Sequence, residues 1–224
     1  MITLDSEKLG SALIINGIVF SIIIFLWPIT MVLAPGAEGS ISEQLREIAL
    51  HPVSYQLSFI LASVIGPSIL SLMLIYSMFI ETKKTTVIFS LMGIIFMIPY
   101  VVFVTISYTS QYIYFINLLN SDVNSAAQWY FGNFNSLPYY LNQLGYTFFA
   151  LGGIFIGYRY CFDRGIKKAF GIILEICSLL SIIAFIGLAL GNKFLNTATL
   201  ISGLLTLPFG IFAIIIGMKI KKAH

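Results

Sequence analysis

Six stretches of the chain are each long and apolar enough to cross a bilayer: residues 9–33, 53–80, 86–107, 138–158, 169–190 and 195–218. A helix rises about 1.5 Å per residue, so about 20 apolar residues span a hydrocarbon core of about 30 Å. Lipid satisfies no backbone N–H or C=O, so each crossing is expected to be a helix that bonds its own backbone. Composition agrees, since 58% of the residues are hydrophobic and 9% charged, where a soluble domain carries about a quarter charged. The expected fold class is an all-α integral membrane protein, a six-transmembrane-helix bundle with residues 1–224 as a single polytopic domain. The first apolar run is too long for a signal-peptide core and is not preceded by a basic segment, so it is expected to be retained as a helix.

Orientation follows from the basic residues. Lys8, Lys83, Lys84, Arg159, Arg164, Lys167, Lys168, Lys219, Lys221 and Lys222 fall on one side of the six spans, and Arg46 and Lys193 on the other. The positive-inside rule then places both termini in the cytoplasm, N-in/C-in, in a cell membrane. The net charge of +3 is therefore a matter of helix ends and gives no reason to expect a nucleic-acid partner. Cys161 and Cys177 form neither a CxxC pair nor a zinc quartet and are expected as free thiols.

The two long connections on the other side differ in kind. In the first, Ser40 and Glu43 have capping-box spacing and Ile41, Leu45 and Ile48 share a helical face, predicting a short amphipathic helix over residues 40–51, ended by Pro52. The second, residues 108–137, contains no Lys or Arg and holds QYIYFINLL and QWYFGNFNSLPYY. Rings with one polar edge favour the headgroup level, so this segment is expected to form an external aromatic cap, with the third span continuing toward Leu119. Pro28, Pro67, Pro99 and Pro208 each fall within a span and are expected to kink it, or to break helices that line a ligand path. SLMGIIFMIPY (residues 90–100) and SGLLTLPFG (residues 202–210) order Ser, Gly and Pro alike, a faint sign of an inverted repeat.

One acid, Glu175, stands inside an apolar run. Gly171, Glu175 and Ser178 follow an i, i+4, i+7 stripe of the kind that packs against other helices. Intramembrane acids are candidates for proton or cation work, which makes Glu175 a proton-switch candidate with Ser178 on its stripe. Asn16 lies at a similar depth on the first span and is a candidate partner, as is Lys168 on the same face; the plainer reading is a structural polar clasp. Asn142, Gln143 and Tyr146, with Trp129 from the cap, are candidates for an external pocket. Gly153 and Gly157 make a GxxxG step, a site of close helix contact and a candidate surface for a second copy or a membrane partner.

Glu43, Glu47 and His51 recur every fourth residue, but Pro52 pulls His51 out of helical geometry, and no metal site is expected; His224 is a tail residue. No nucleophile elbow, zincin or phosphate-loop motif occurs, so no cofactor or catalytic set is expected. The functional expectation is binding, and transport, of a small apolar or amphiphilic ligand. The alternatives are an accessory or structural subunit of a larger complex such as an exporter, and an intramembrane lipid-modifying enzyme.

Overall fold

The computed structural model describes residues 6–36, 39–78 and 84–222; Lys83, His224 and the predicted end of the second span lie outside them. The described residues are mainly helical, with no strand among them. Its elements are α1 (Ser6–Leu33), α2 (Ile41–Leu50), α3 (Pro52–Met78), α4 (Lys84–Ser110), a π-helical turn (Gln111–Phe115), α5 (Ile116–Ser121), α6 (Val123–Trp129), α7 (Leu137–Cys161), α8 (Ile166–Ala189), α9 (Lys193–Asn196), α10 (Ala198–Leu205) and α11 (Pro208–Lys222).

The long helices form a closed ring in chain order. α1 packs on α3, α3 on α4, α4 on α7 and α7 on α8; α10 and α11 then return along α8, and α11 closes the ring against α1. Consecutive members run antiparallel, as short connections require. Ser107 near the end of α4 donates to Pro138 O at the start of α7 (2.7 Å), and Tyr160 near the end of α7 donates to Tyr76 O near the end of α3 (2.6 Å). The ring centre is filled by large rings, with Phe20, Tyr76, Tyr100, Phe149, Tyr160, Phe170 and Phe209 almost wholly buried. Its outside is aliphatic, with Ile15, Ile22, Ile88, Leu91, Ile98, Leu179 and Ile211 all exposed. A continuous apolar exterior around a packed interior is the surface of a protein solvated by lipid.

Among the described residues, five helical segments are long and apolar enough to cross a membrane: Glu7–Leu33, Pro52–Ser77, Val87–Ser121, Ile166–Ala189 and Lys193–Lys222. The chain is thus an all-α protein with several apolar helices of membrane-spanning length. α7 has the length, but Asn142, Gln143, Arg159 and its tyrosines dilute its apolar character. The reason is positional, since α4 and α8 cover it from both sides and a helix held by protein needs no uniformly apolar surface.

Pro28, Pro67 and Pro99 stand inside continuous helices. Pro208 instead begins α11 after a turn at Thr206–Leu207, so the last rod is broken. Thr206 helps absorb the break, its buried hydroxyl donating to Gly203 O (2.6 Å).

Two ends of the ring are distinct. One brings the start of α1 beside the end of α11, where Gly10 lies against Gly217 and Lys221, and places Arg164 and Lys167 next to Lys219. This is the basic end. The other carries α2, the π-helical turn, α5, α6 and the loop to α7, and is the capped end.

Candidate functional site

The capped end is built by local rules. Ser40 caps α2 and closes both halves of the capping box, Glu43 N–H bonding to Ser40 Oγ and Ser40 N–H to Glu43 Oε2 (2.7 Å). Glu47 accepts from Gly36 N–H (3.2 Å), which ties the α1–α2 linker down. Both acids, weighed above as metal ligands with His51, thus have structural duties, and His51 caps the end of α2. Asp122 caps α6, accepting from the N–H groups of Asn124 and Ser125.

The apolar face of α2 does not rest on lipid. Leu45 and Ile48 are buried with Tyr55, Phe115, Leu119, Ala126 and Tyr130 in a small second core, so α2 is a lid fastened to the cap. Hydrogen bonds to Ser40 hold the Glu43 carboxyl below its ordinary range, and those of Ser125 do the same for Asp122. An acid depressed on folding contributes stability above its unfolded value of about 4.3, or about 3.9 for Asp, and loses it as pH falls through the folded value. Acidification below about pH 4 is therefore expected to accelerate amide exchange, relative to each amide's intrinsic rate at that pH, at Glu43, Asn124 and Ser125 before the ring helices respond. Equal acceleration everywhere would show that the caps are not the acid-labile parts.

Gln111 is the hub of the cap. Wholly buried at the π-helical turn, its Oε1 accepts from Tyr55 Oη (2.8 Å) and Phe131 N–H (3.0 Å), while its Nε2 donates to Trp129 O (3.0 Å). One side chain thereby joins α3, the end of α4 and the loop after α6. Tyr130 completes the fastening, the single proton of its hydroxyl shared between Gly36 O (2.9 Å) and Gln44 Oε1 (2.8 Å). Burial pushes the Tyr130 phenol up to about 12, so it remains a donor across the physiological range.

Beneath this lid lies a cavity of about 380 Å³ between the capped ends of α1, α3 and α4. Its walls are Trp27, Met31, Tyr55, Phe59, Tyr108, Tyr130, Phe131 and Phe134, with Ala34, Pro35, Gly36, Ser58, Ala62 and Gly132 filling between them and Gln44 at the lid. The rings support one another: Phe59 meets Tyr55, Tyr108 and Phe131 at centroid separations of 4.8, 6.1 and 5.3 Å. The volume lies within the range of about 300–1,000 Å³ usual for small-molecule sites, and a mostly apolar wall with a few oriented polar groups is their usual chemistry.

The predicted external pocket is distributed differently. Gln143 is buried, donating to Tyr139 Oη (3.0 Å) and accepting from Thr199 Oγ1 (2.6 Å). Asn142 is buried beside it on α7, its Oδ1 without a hydrogen-bond partner among the described residues. Tyr146 packs edge-on to Tyr100 inside the ring. These three belong to the interior of the bundle, while Trp129 lies half-buried against Tyr114 on the cap (4.6 Å). None of the four lines the vestibule. Its residues come instead from helix ends, and the detectable signal was the density of rings at residues 55–59 and 108–134.

Glu175 is half-buried on α8. Its Oε1 has no hydrogen-bond partner among the described residues and lies against Gly157 of α7, where a Cβ would come within 2.9 Å of it. The proposed partners are elsewhere. Asn16 Oδ1 accepts from Ser71 of α3 (2.6 Å), because α1 borders α3 and α11 in the ring and not α8. Ser178 donates to Leu174 O of its own helix (2.8 Å). Lys168 is exposed, and no ion pair joins it to Glu175 among the described residues. Gly153 and Gly157 do mark a close helix contact, but they are buried against Leu174, Glu175 and Ser178 of α8. The step is used for a contact within the chain.

Compared with known proteins, the chain matches no family model, no curated protein and no solved structure.

Proposed function

We propose that this chain is a six-span membrane protein that binds, and passes across the bilayer, a small apolar or amphiphilic ligand received in the aromatic vestibule. The supporting observation is the vestibule itself, a partly open space of about 380 Å³ walled by rings from α1, α3, α4 and the cap, with Gln44 of α2 at its edge. The lid is held by the hydrogen bonds of Tyr130 and Glu47 and by the burial of Leu45 and Ile48 in a second core distinct from that of the ring, so it can open without disturbing the ring. In this reading α7 supplies the remaining crossing, the basic end faces the cytoplasm under the positive-inside rule, and the vestibule opens to the outside of a cell membrane.

Binding is tested with Trp27, which lines the cavity. In a Trp129→Phe background, a short-chain brominated amphiphile is expected to quench Trp27 saturably, and Ala34→Phe at the wall is expected to remove the saturable part. Quenching that rises linearly with probe in both proteins would show partition into lipid with no site. Orientation is tested separately, with Cys161 and Cys177 first replaced. Cysteines at Ser42 and Asn124 should react with an impermeant thiol reagent added outside, and one at Thr82 should not. The reverse pattern overturns the topology.

A further inference from the structure

On the exterior of the ring, toward the basic end, α7 and α8 leave a hollow of about 370 Å³ lined by Ile154, Glu175, Ile176, Leu179 and Ile182. Four of its five residues are branched aliphatics, and Glu175 is its single polar member. Ile154, Ile176 and Leu179 are 37%, 44% and 58% exposed, so the hollow opens outward, to the acyl chains that solvate this surface. The carboxylate at its back has backbone support from Tyr158 but no cation paired with it among the described residues. Its shielded Oε1 has no hydrogen bond, Asn16 is committed to Ser71, and Lys168 lies seven residues away, about 10 Å along the helix. Gly157 of α7 stands beside the carboxyl, where an added Cβ would come within 2.9 Å of Oε1. A carboxylate taken from water without a partner is costly, and the cost is recovered when a cation comes to it.

We propose that this hollow is a binding site for lipophilic monocations that arrive from within the bilayer. An ammonium or phosphonium centre meets Glu175 while its apolar body lies along Ile154, Ile176, Leu179 and Ile182. Charge complementarity selects the occupant: a neutral lipid leaves the carboxylate unpaired, an anionic one is repelled, and a hydrated inorganic cation gains nothing from the aliphatic wall. The site is separate from the vestibule, which lies at the other end of the ring and draws on other helices.

The probe is tetraphenylphosphonium, its binding followed by equilibrium dialysis of the full chain in maltoside micelles, which supply no competing cation. One saturable site is expected in the parent. Glu175→Gln should weaken it by about tenfold or more, the scale of a desolvated charge pair, with unchanged helical circular dichroism. Leu179→Trp, which leaves the acid in place and fills the hollow, should weaken it as well, and Ala34→Phe in the vestibule should leave it unaltered. Adding phosphatidylethanolamine separates two sources of the same chemistry: competition identifies an aminolipid occupant, and its absence a soluble amphiphile. Equal affinity in the parent and Glu175→Gln, or no saturable site in the parent, overturns the proposal while leaving the vestibule reading untouched.

Discussion

Replacing Gln111 by leucine is expected to undo the cap while leaving the ring of long helices standing. The side chains are close in volume, so the change is chiefly one of hydrogen bonding. Gln111 is 0% exposed, and without its amide Tyr55 Oη, Phe131 N–H and Trp129 O each lose a partner. A buried polar group left unsatisfied costs about 1–3 kcal/mol, so three of them together cost on the order of 3 kcal/mol or more. Leucine adds apolar burial, but glutamine's methylenes were already buried there, and the gain offsets only part of this. The damage is local, because the second core under α2 is distinct from the ring core. The expected signature is faster exchange of Phe131 N–H, red-shifted Trp129 emission and lost saturable quenching of Trp27, with helical circular dichroism retained. Tyr55→Phe removes one bond and one hydroxyl together, and should cost only about 0.5–1.5 kcal/mol. If the two variants prove equally stable, Gln111 is not the hub that the geometry makes it.

That contrast marks where sequence reasoning reached and where it stopped. The capping box at Ser40 and Glu43 was legible because it is a local exchange of two hydrogen bonds within four residues, and it is formed as expected. The extension of the third span was legible too: QYIYFINLL stays apolar past the bilayer length, and α4 runs through the π-helical turn into α5. The starts of α3 and α7 and the ends of α1 and α8 lie within a few residues of the expected bounds, because apolar length fixes them.

What a period cannot report is which helix stands beside which. Asn16 and Glu175 were paired by depth alone, yet depth ranks residues along the membrane normal and says nothing of order around the ring, where α8 borders α7, α10 and α11. The same limit hid the vestibule. Tyr55 and Phe59 stand on α3 and Tyr108 on α4, and only the fold of the cap turns them toward one space. Gln111 carried no signal of its own, since one amide in an aromatic segment looks like a wetted surface residue until three partners converge on it.

The second large effect is expected where α11 closes the ring. A Cβ on Gly210 would fall 2.7 Å from Gly17 O and collide with Ser21 Oγ, and one on Gly17 would fall 2.6 Å from Gly210 O. Two opposed terms decide the sign of Gly210→Ala. Alanine gains up to about 1 kcal/mol of helix propensity over glycine. Overpacking against an unyielding neighbour costs about 1–3 kcal/mol, and here the obstacle is a backbone carbonyl, which cannot rotate aside as a side-chain end can. Separating the two helices also loosens the Gly10–Gly217 contact one register along. In lipid that loss is felt in full, because helices there associate by packing and not by hydrophobic drive. Gly210→Ala should therefore destabilise by about 1–2 kcal/mol net, and Gly210→Leu by more, enough to open the ring between α1 and α11. Gly203 supplies the contrast, being a buried helical glycine whose added Cβ would meet nothing nearer than Tyr146 Oη at 3.9 Å. Gly203→Ala keeps the propensity gain without the collision and should be neutral or stabilising by up to about 1 kcal/mol. Thermal unfolding of the three variants in one detergent separates the terms. A Gly210→Ala protein as stable as Gly203→Ala would mean that α1 and α11 are free to move apart, and that the ring is not closed by this contact.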